Sequence, residues 1–147
     1  MHPVYRNRSI EQYAHPDGET MARQSLDEKL ALLKKLEDEG LQSDGAVREI
    51  RQMLSGSSSA LAARATRVAA RLSLRELAPE LVAVFNRDLE NPVKADPGCR
   101  AKLAAVEALN SLDYPEADVF LRGIRHVQME PSYGPPVDTA SDLTCSL

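Results

Sequence analysis

Aromatic residues are scarce in this chain of 147 residues: two Phe, four Tyr and no Trp, or 4% of the whole. With 43% of residues hydrophobic, the apolar content must come from Leu, Ala, Val, Ile and Met. Those side chains suit helix packing better than β-sandwiches or the aromatic platforms on which nucleic-acid bases stack. Cysteine is almost as rare. Cys99 and Cys145 are too few for a disulfide framework and too isolated for a zinc cluster, so they read as two unpaired thiols of a reducing, cytoplasmic protein. No run approaches the roughly 18 apolar residues of a membrane span, and the N-terminal Met-His-Pro-Val-Tyr-Arg-Asn-Arg-Ser-Ile has no apolar signal-peptide region. A basic excess is missing too: 18 Lys and Arg against 22 Asp and Glu leave a net charge of −4, which speaks against binding along a phosphate backbone. Neither a Gly-rich phosphate loop, G-x-S-x-G, HExxH nor a carboxylate pair in an apolar setting occurs. The expectation is a soluble, non-catalytic domain without cofactor or metal, binding neither nucleic acid nor membrane.

What is present is helical periodicity. Residues 1–24, with His2, Pro3, His15, Pro16 and Gly18 and scattered apolar residues, read as a flexible arm or an expression remnant preceding Met21. From Ser25 the pattern is regular. Ser25-Leu-Asp-Glu28 has the form of a capping box, Leu26, Leu30, Leu33 and Leu36 recur at helical spacing, and Gly40 supplies a stop. Ser43 or Asp44 opens a second helix carrying Val47, Ile50, Met53 and Leu54. Ser57 or Ser58 caps a third with Leu61, Ala65, Val68 and Leu72, and Pro79 sits in the first turn of a fourth that Asn91-Pro92 ends. After a loop from Pro92 to Asp96, Asp96-Pro97 opens a helix with Cys99, Leu103, Val106 and Leu109; Asp113-Tyr-Pro115 turns into another with Phe120, Ile124 and Val127. A Pro/Gly-rich loop from Glu130 to Val137 precedes a last helix capped by Asp138 or Thr139.

These helix–turn–helix pairs repeat. Val68–Leu72 lies on Ala105–Leu109 at an offset of 37, and Pro79 lies on Pro115 at 36; a period of about 20–50 residues is the signature of a solenoid. Arg100-Ala-Lys-Leu-Ala-Ala-Val-Glu-Ala-Leu109, followed by Asn-Ser-Leu-Asp-Tyr-Pro115-Glu-Ala and Val119-Phe-Leu-Arg-Gly-Ile124, resembles a bacterial HEAT-like repeat, with weaker copies over Arg64–Phe85 and Leu26–Leu54. The tetratricopeptide pattern, with its Trp and Gly-Tyr pair, is absent. The resemblance implies an all-α fold, a right-handed α-α superhelix of about three helix pairs over residues 25–147, with repeats shorter than the roughly 40–47 of the standard pattern. The resemblance bears on the architecture and not on an activity; repeat architecture without catalytic residues leads to the expectation of protein–protein interaction or scaffolding, using the inner helix surfaces and the loop from Glu130 to Val137. A different class stays open because HEAT-like repeats occur in phycobilin lyase relatives: a lyase or cofactor-handling enzyme subunit. The aromatic-lined cleft of HEAT-like DNA glycosylases finds no counterpart in this sequence. The last helix looks like the first half of a further repeat without a polar cap, so the domain reads as a cut through a longer array, or as one that self-assembles, for instance as a homodimer, through its C-terminal end.

Candidate functional residues follow from these elements. Arg64, Arg67 and Arg71 form a basic stripe at i, i+3 and i+7 that Arg100 continues; it reads either as a solvated face paired with neighbouring acids or as a surface for an anionic or acidic protein partner. Arg122 and Tyr133 complete the candidate partner-binding set, the latter as an exposed aromatic in the long loop. Cys99, on a face shared with Leu103 and Val106, reads as a core thiol against the alternative of a helix-terminal nucleophile. His126 reads as a helix C-terminal residue rather than a metal ligand.

Overall fold

The computed structural model describes residues 17–146, with side chains from Ser25 onward. It is mostly helical, in the order α1 (Asp17–Glu39), α2 (Asp44–Leu54), α3 (Ser59–Arg71), α4 (Ala78–Glu90), α5 (Pro92–Ala95), α6 (Arg100–Ser111), α7 (Ala117–Arg125), β1 (Met129–Glu130), β2 (Val137–Asp138) and α8 (Ser141–Cys145). Short 3₁₀ turns at Arg75–Leu77 and Pro97–Cys99 lead into α4 and α6. None of the described helices is long and apolar enough to cross a membrane.

Local signals place most of these boundaries. Of the alternatives Ser43 or Asp44, Ser43 is the N-cap of α2, its hydroxyl accepting from the Ala46 N–H at 3.3 Å, while Asp44 lies in the first turn. Ser58 rather than Ser57 caps α3, accepting from the Leu61 N–H. Pro79 stands in the first turn of α4, where its missing N–H would have no partner in any case.

Three first helices end alike. In α1 the Leu41 N–H donates to Leu36 O and the Gly40 N–H to Glu37 O; after α3, Leu74 donates to Ala69 and Ser73 to Ala70; after α6, Tyr114 donates to Leu109 and Asp113 to Asn110. Gly40, Ser73 and Asp113 each hold a left-handed conformation, with φ of 61°, 54° and 55°. This is the same Schellman stop written three times. Its positions fall 33 and 40 residues apart, so the structural spacing differs from the offsets of 36 and 37 that side-chain matching picks out.

α3 lies at the centre. It packs against α1 on one side and most extensively against α6 on the other, while α4 packs on α6 and α2 contacts both α3 and α4. The contact is lined by small residues, with Ala62, Ala65 and Ala69 of α3 and Ala101, Ala104, Ala105 and Ala108 of α6 buried, which lets the helix backbones approach. Leu54, Leu77, Leu81, Phe85 and Leu109 fill the rest of the core, and Ala140 and Leu143 tie the C-terminal segment onto it.

Five expectations are corrected. Ser25 lies inside α1, which begins at Asp17, so the capping-box pattern there caps nothing; residues 1–16 of the N-terminal segment lie outside the described residues. Only the second half of the α1 stripe is buried: Leu33 and Leu36 are in the core, while Leu26 and Leu30 are 39% and 37% exposed. The loop from Pro92 to Asp96 contains the single-turn α5, and the loop from Glu130 to Val137 is part of a β-hairpin in which Met129 pairs with Asp138 and Glu130 with Val137. The last helix starts at Ser141, past Asp138 and Thr139: the Thr139 hydroxyl donates to Glu130, and the Asp138 carboxylate accepts from the Gln128 and Ala140 N–H groups.

Candidate functional site

The surface between α3 and α6 carries two adjoining depressions. One, of about 370 Å³, is bordered by Arg67, Ala70 and Arg71 of α3 and Ala104, Glu107 and Ala108 of α6. The other, of about 290 Å³, is bordered by Ala60, Ala63 and Arg67 and, across the groove, by Asp96, Pro97 and Arg100. Arg67 borders both, so the two adjoin there as one groove, lined by alanines of both helices. Glu107 on its wall accepts a hydrogen bond from the Ser146 hydroxyl at 3.4 Å.

The arginine stripe divides into two roles. Arg64 and Arg71 both bind Glu37 of α1, Arg64 Nη2 at 2.5 Å from Glu37 Oε2, and so strap α1 to α3. Arg75 reaches Asp113 at 2.8 Å and joins the two equivalent turns. Arg67 and Arg100 are exposed and have no ion pair among the described residues. Arg122 is elsewhere. On α7 it lies over the Phe85 ring, 5.5 Å from its centroid, with Nε 2.8 Å from Asp118 Oδ2. Tyr133 stands at the hairpin tip and is fully exposed, 115% relative to a reference residue. The structure therefore brings Arg67, Arg71 and Arg100 to one groove, places Arg64 beside them in a structural role, and leaves Arg122 and Tyr133 on other surfaces.

A second polar assembly lies under the start of α6. Asp96 is buried; its carboxylate accepts the N–H groups of Ala101 at 2.9 Å and Lys102 at 3.0 Å, capping α6 across the intervening 3₁₀ turn. Lys102 is completely buried, with Nζ 3.1 Å from Asp96 Oδ2 and donating to Asp88 O at 3.2 Å. Gln128 donates from its amide to Asp96 O and to Glu130 Oε1, and the same Glu130 oxygen accepts the Gly98 N–H at 2.7 Å and the Thr139 hydroxyl at 2.8 Å. Asp138 accepts the N–H groups of Gln128 and Ala140. These bonds lower the Glu130 carboxyl from its ordinary value, the Gln128 amide first and the Gly98 N–H next, and lower Asp138 through its two backbone donors. The network fastens the hairpin to the α5–α6 turn.

Cys99 precedes α6 rather than lying within it, in a left-handed conformation with φ of 55°, and is 1% exposed. Burial, joined by the carboxylates of Asp96, Asp138 and Glu130 and opposed by Lys102, pushes its thiol up to about 11. A thiol so protonated is no poised nucleophile. His126 caps the C-terminal end of α7, its N–H donating to Gly123 O and its ring Nε2 3.3 Å from Gln128 Oε1. Neither residue borders the α3–α6 groove. Among the described residues no group of three or more His, Cys, Asp or Glu is placed to hold a metal.

Sequence reasoning passes over Lys102 and Asp88, yet a signal existed. Lys102 falls on the stripe of Ala105, Val106 and Leu109, and Asp88 on that of Leu81, Val84 and Phe85, so each is a charge on a core face. No known protein-family model, curated protein or solved structure matches the chain.

Proposed function

We propose that the chain is a HEAT-like helical-repeat binding module, a right-handed superhelix of the pairs α1–α2, α3–α4 and α6–α7, which holds an acidic segment of a partner protein in the α3–α6 groove and catalyses no reaction. The repeated Schellman stops support the architecture, and the 40-residue spacing of Ser73 and Asp113 has the length of a standard HEAT unit. The observation that carries the binding reading is Arg67, exposed at the junction of the two depressions without an ion pair among the described residues, with Arg100 beyond it. A guanidinium pairs with a carboxylate through two parallel hydrogen bonds, so two of them along one groove favour a segment with spaced acids. The alanines that line the groove accept the segment's aliphatic carbons.

Selection of peptides from a random display library on the immobilised protein tests this reading. The enriched peptides are expected to be rich in Asp and Glu and to lose binding to the R67E/R100E variant. Enriched peptides without acids, or equal binding to that variant, overturn it.

A further inference from the structure

α7 is apolar on two opposite faces. Val119 and Gly123 are buried toward the rest of the protein, while Ala117, Leu121 and Ile124, at i, i+4 and i+7, form a stripe on the far side where Leu121 is 47% and Ile124 43% exposed. The exposed side of α4 carries no such stripe: its residues are Pro79, Ala83, Asn86 and Glu90. Leu121 and Ile124 offer an apolar contact surface on an otherwise solvated helix face.

The charges beside this stripe identify its occupant. Asp118 and Arg125 are seven residues apart, so they flank the stripe on the same side at opposite ends of the helix. Among the described residues, Asp118, whose side chain is 75% exposed, pairs only with Arg122, and Arg125 is exposed with no ion pair. When two copies of one helix pack antiparallel about a two-fold axis, residues on the same flank face one another across the axis. The midpoint of Asp118 and Arg125 falls within half a residue of Leu121, the middle residue of the apolar stripe. An axis through Leu121 therefore sets each Asp118 against the Arg125 of the other copy and closes two reciprocal ion pairs around a shared aliphatic centre.

We infer that α7 is the contact surface of an isologous homodimer, with two α7 helices packed antiparallel at Leu121. This is independent of the α3–α6 groove, which lies on other helices. A helix of nine residues is about 13 Å long, and one face of it is too small to bury the ~800 Å² per partner of a standard interface, so the association is reversible.

Sedimentation velocity on the full chain, from about 1 μM to about 1 mM, tests the inference. The expected result is a monomer–dimer equilibrium that stops at two copies. L121E weakens it by at least about tenfold, since each dimer loses two apolar side chains at the axis. R125D alone weakens it by roughly tenfold, and the D118R/R125D double variant, which exchanges the charges, restores it. Circular dichroism melts show that each variant remains folded. A monomer across the whole range overturns the inference. So does open-ended growth, which belongs to head-to-tail stacking, and so does a dimer that L121E and R125D leave unchanged or that the charge exchange does not rescue.

Discussion

The Lys102 ammonium lies 3.1 Å from the Asp96 carboxylate with neither side chain exposed by more than 1%. Removing one partner strands the other charge in the core, although two backbone N–H groups still hold Asp96. Lys102→Met is therefore expected to cost about 3–5 kcal/mol in a denaturant melt. The K102M/D96N double variant is expected to lose about 0.5–3 kcal/mol less than the sum of the two single losses. Strict additivity would mean that the two groups are not coupled.

Glu130 and Asp138 give the hairpin an acid limit. Both are lowered in the folded chain, from ordinary values of 4.5 and 3.8, so the ionised forms are the ones the fold holds. Their contribution is fully present above those values and is lost as the pH falls below them through the lowered folded values. Hydrogen-exchange protection of the Gly98 amide, which donates to Glu130, is expected to hold from neutral pH to about 5 and to fall in that acid window. Glu130→Gln is expected to flatten the fall, leaving only the part due to Asp138. An acid profile identical in the variant would remove Glu130 from this role.

The two thiols are expected to react at widely different rates. Cys145 is exposed, whereas Cys99 is buried and protonated up to about 11. Titration with a disulfide reagent at neutral pH is expected to label one thiol per chain promptly and the second only in denaturant. Prompt labelling of both would contradict the packing around Asp96 and Lys102.

The legible parts of the fold rest on short-range physics. Ser43, Ser58 and Pro79 act within one helical turn of themselves, and the stripes through Val47–Leu54, Leu61–Leu72 and Leu81–Phe85 are set by periodicity alone. The illegible parts rest on contacts far apart in the chain. Glu37 joins Arg64 and Arg71 across 27 and 34 residues, and the Gln128 amide reaches Asp96 across 32. Strands of two residues carry no alternation to read, so the hairpin owes its place to those bonds. At Asp96 the cap lies upstream of a 3₁₀ turn, so its carboxylate serves residues 101 and 102 instead of the two or three next to it. The arginine stripe was readable, but only the position of Glu37 separates Arg67 from its neighbours.

The groove reading is tested most directly by titrating isotope-labelled protein with a glutamate-rich peptide and following the backbone amide resonances. The account predicts shifts concentrated on Ala60, Ala63, Arg67, Ala70, Ala104 and Ala108, growing with peptide concentration and abolished in R67E/R100E. Shifts centred elsewhere on the surface, or a response that the double variant leaves intact, would contradict it.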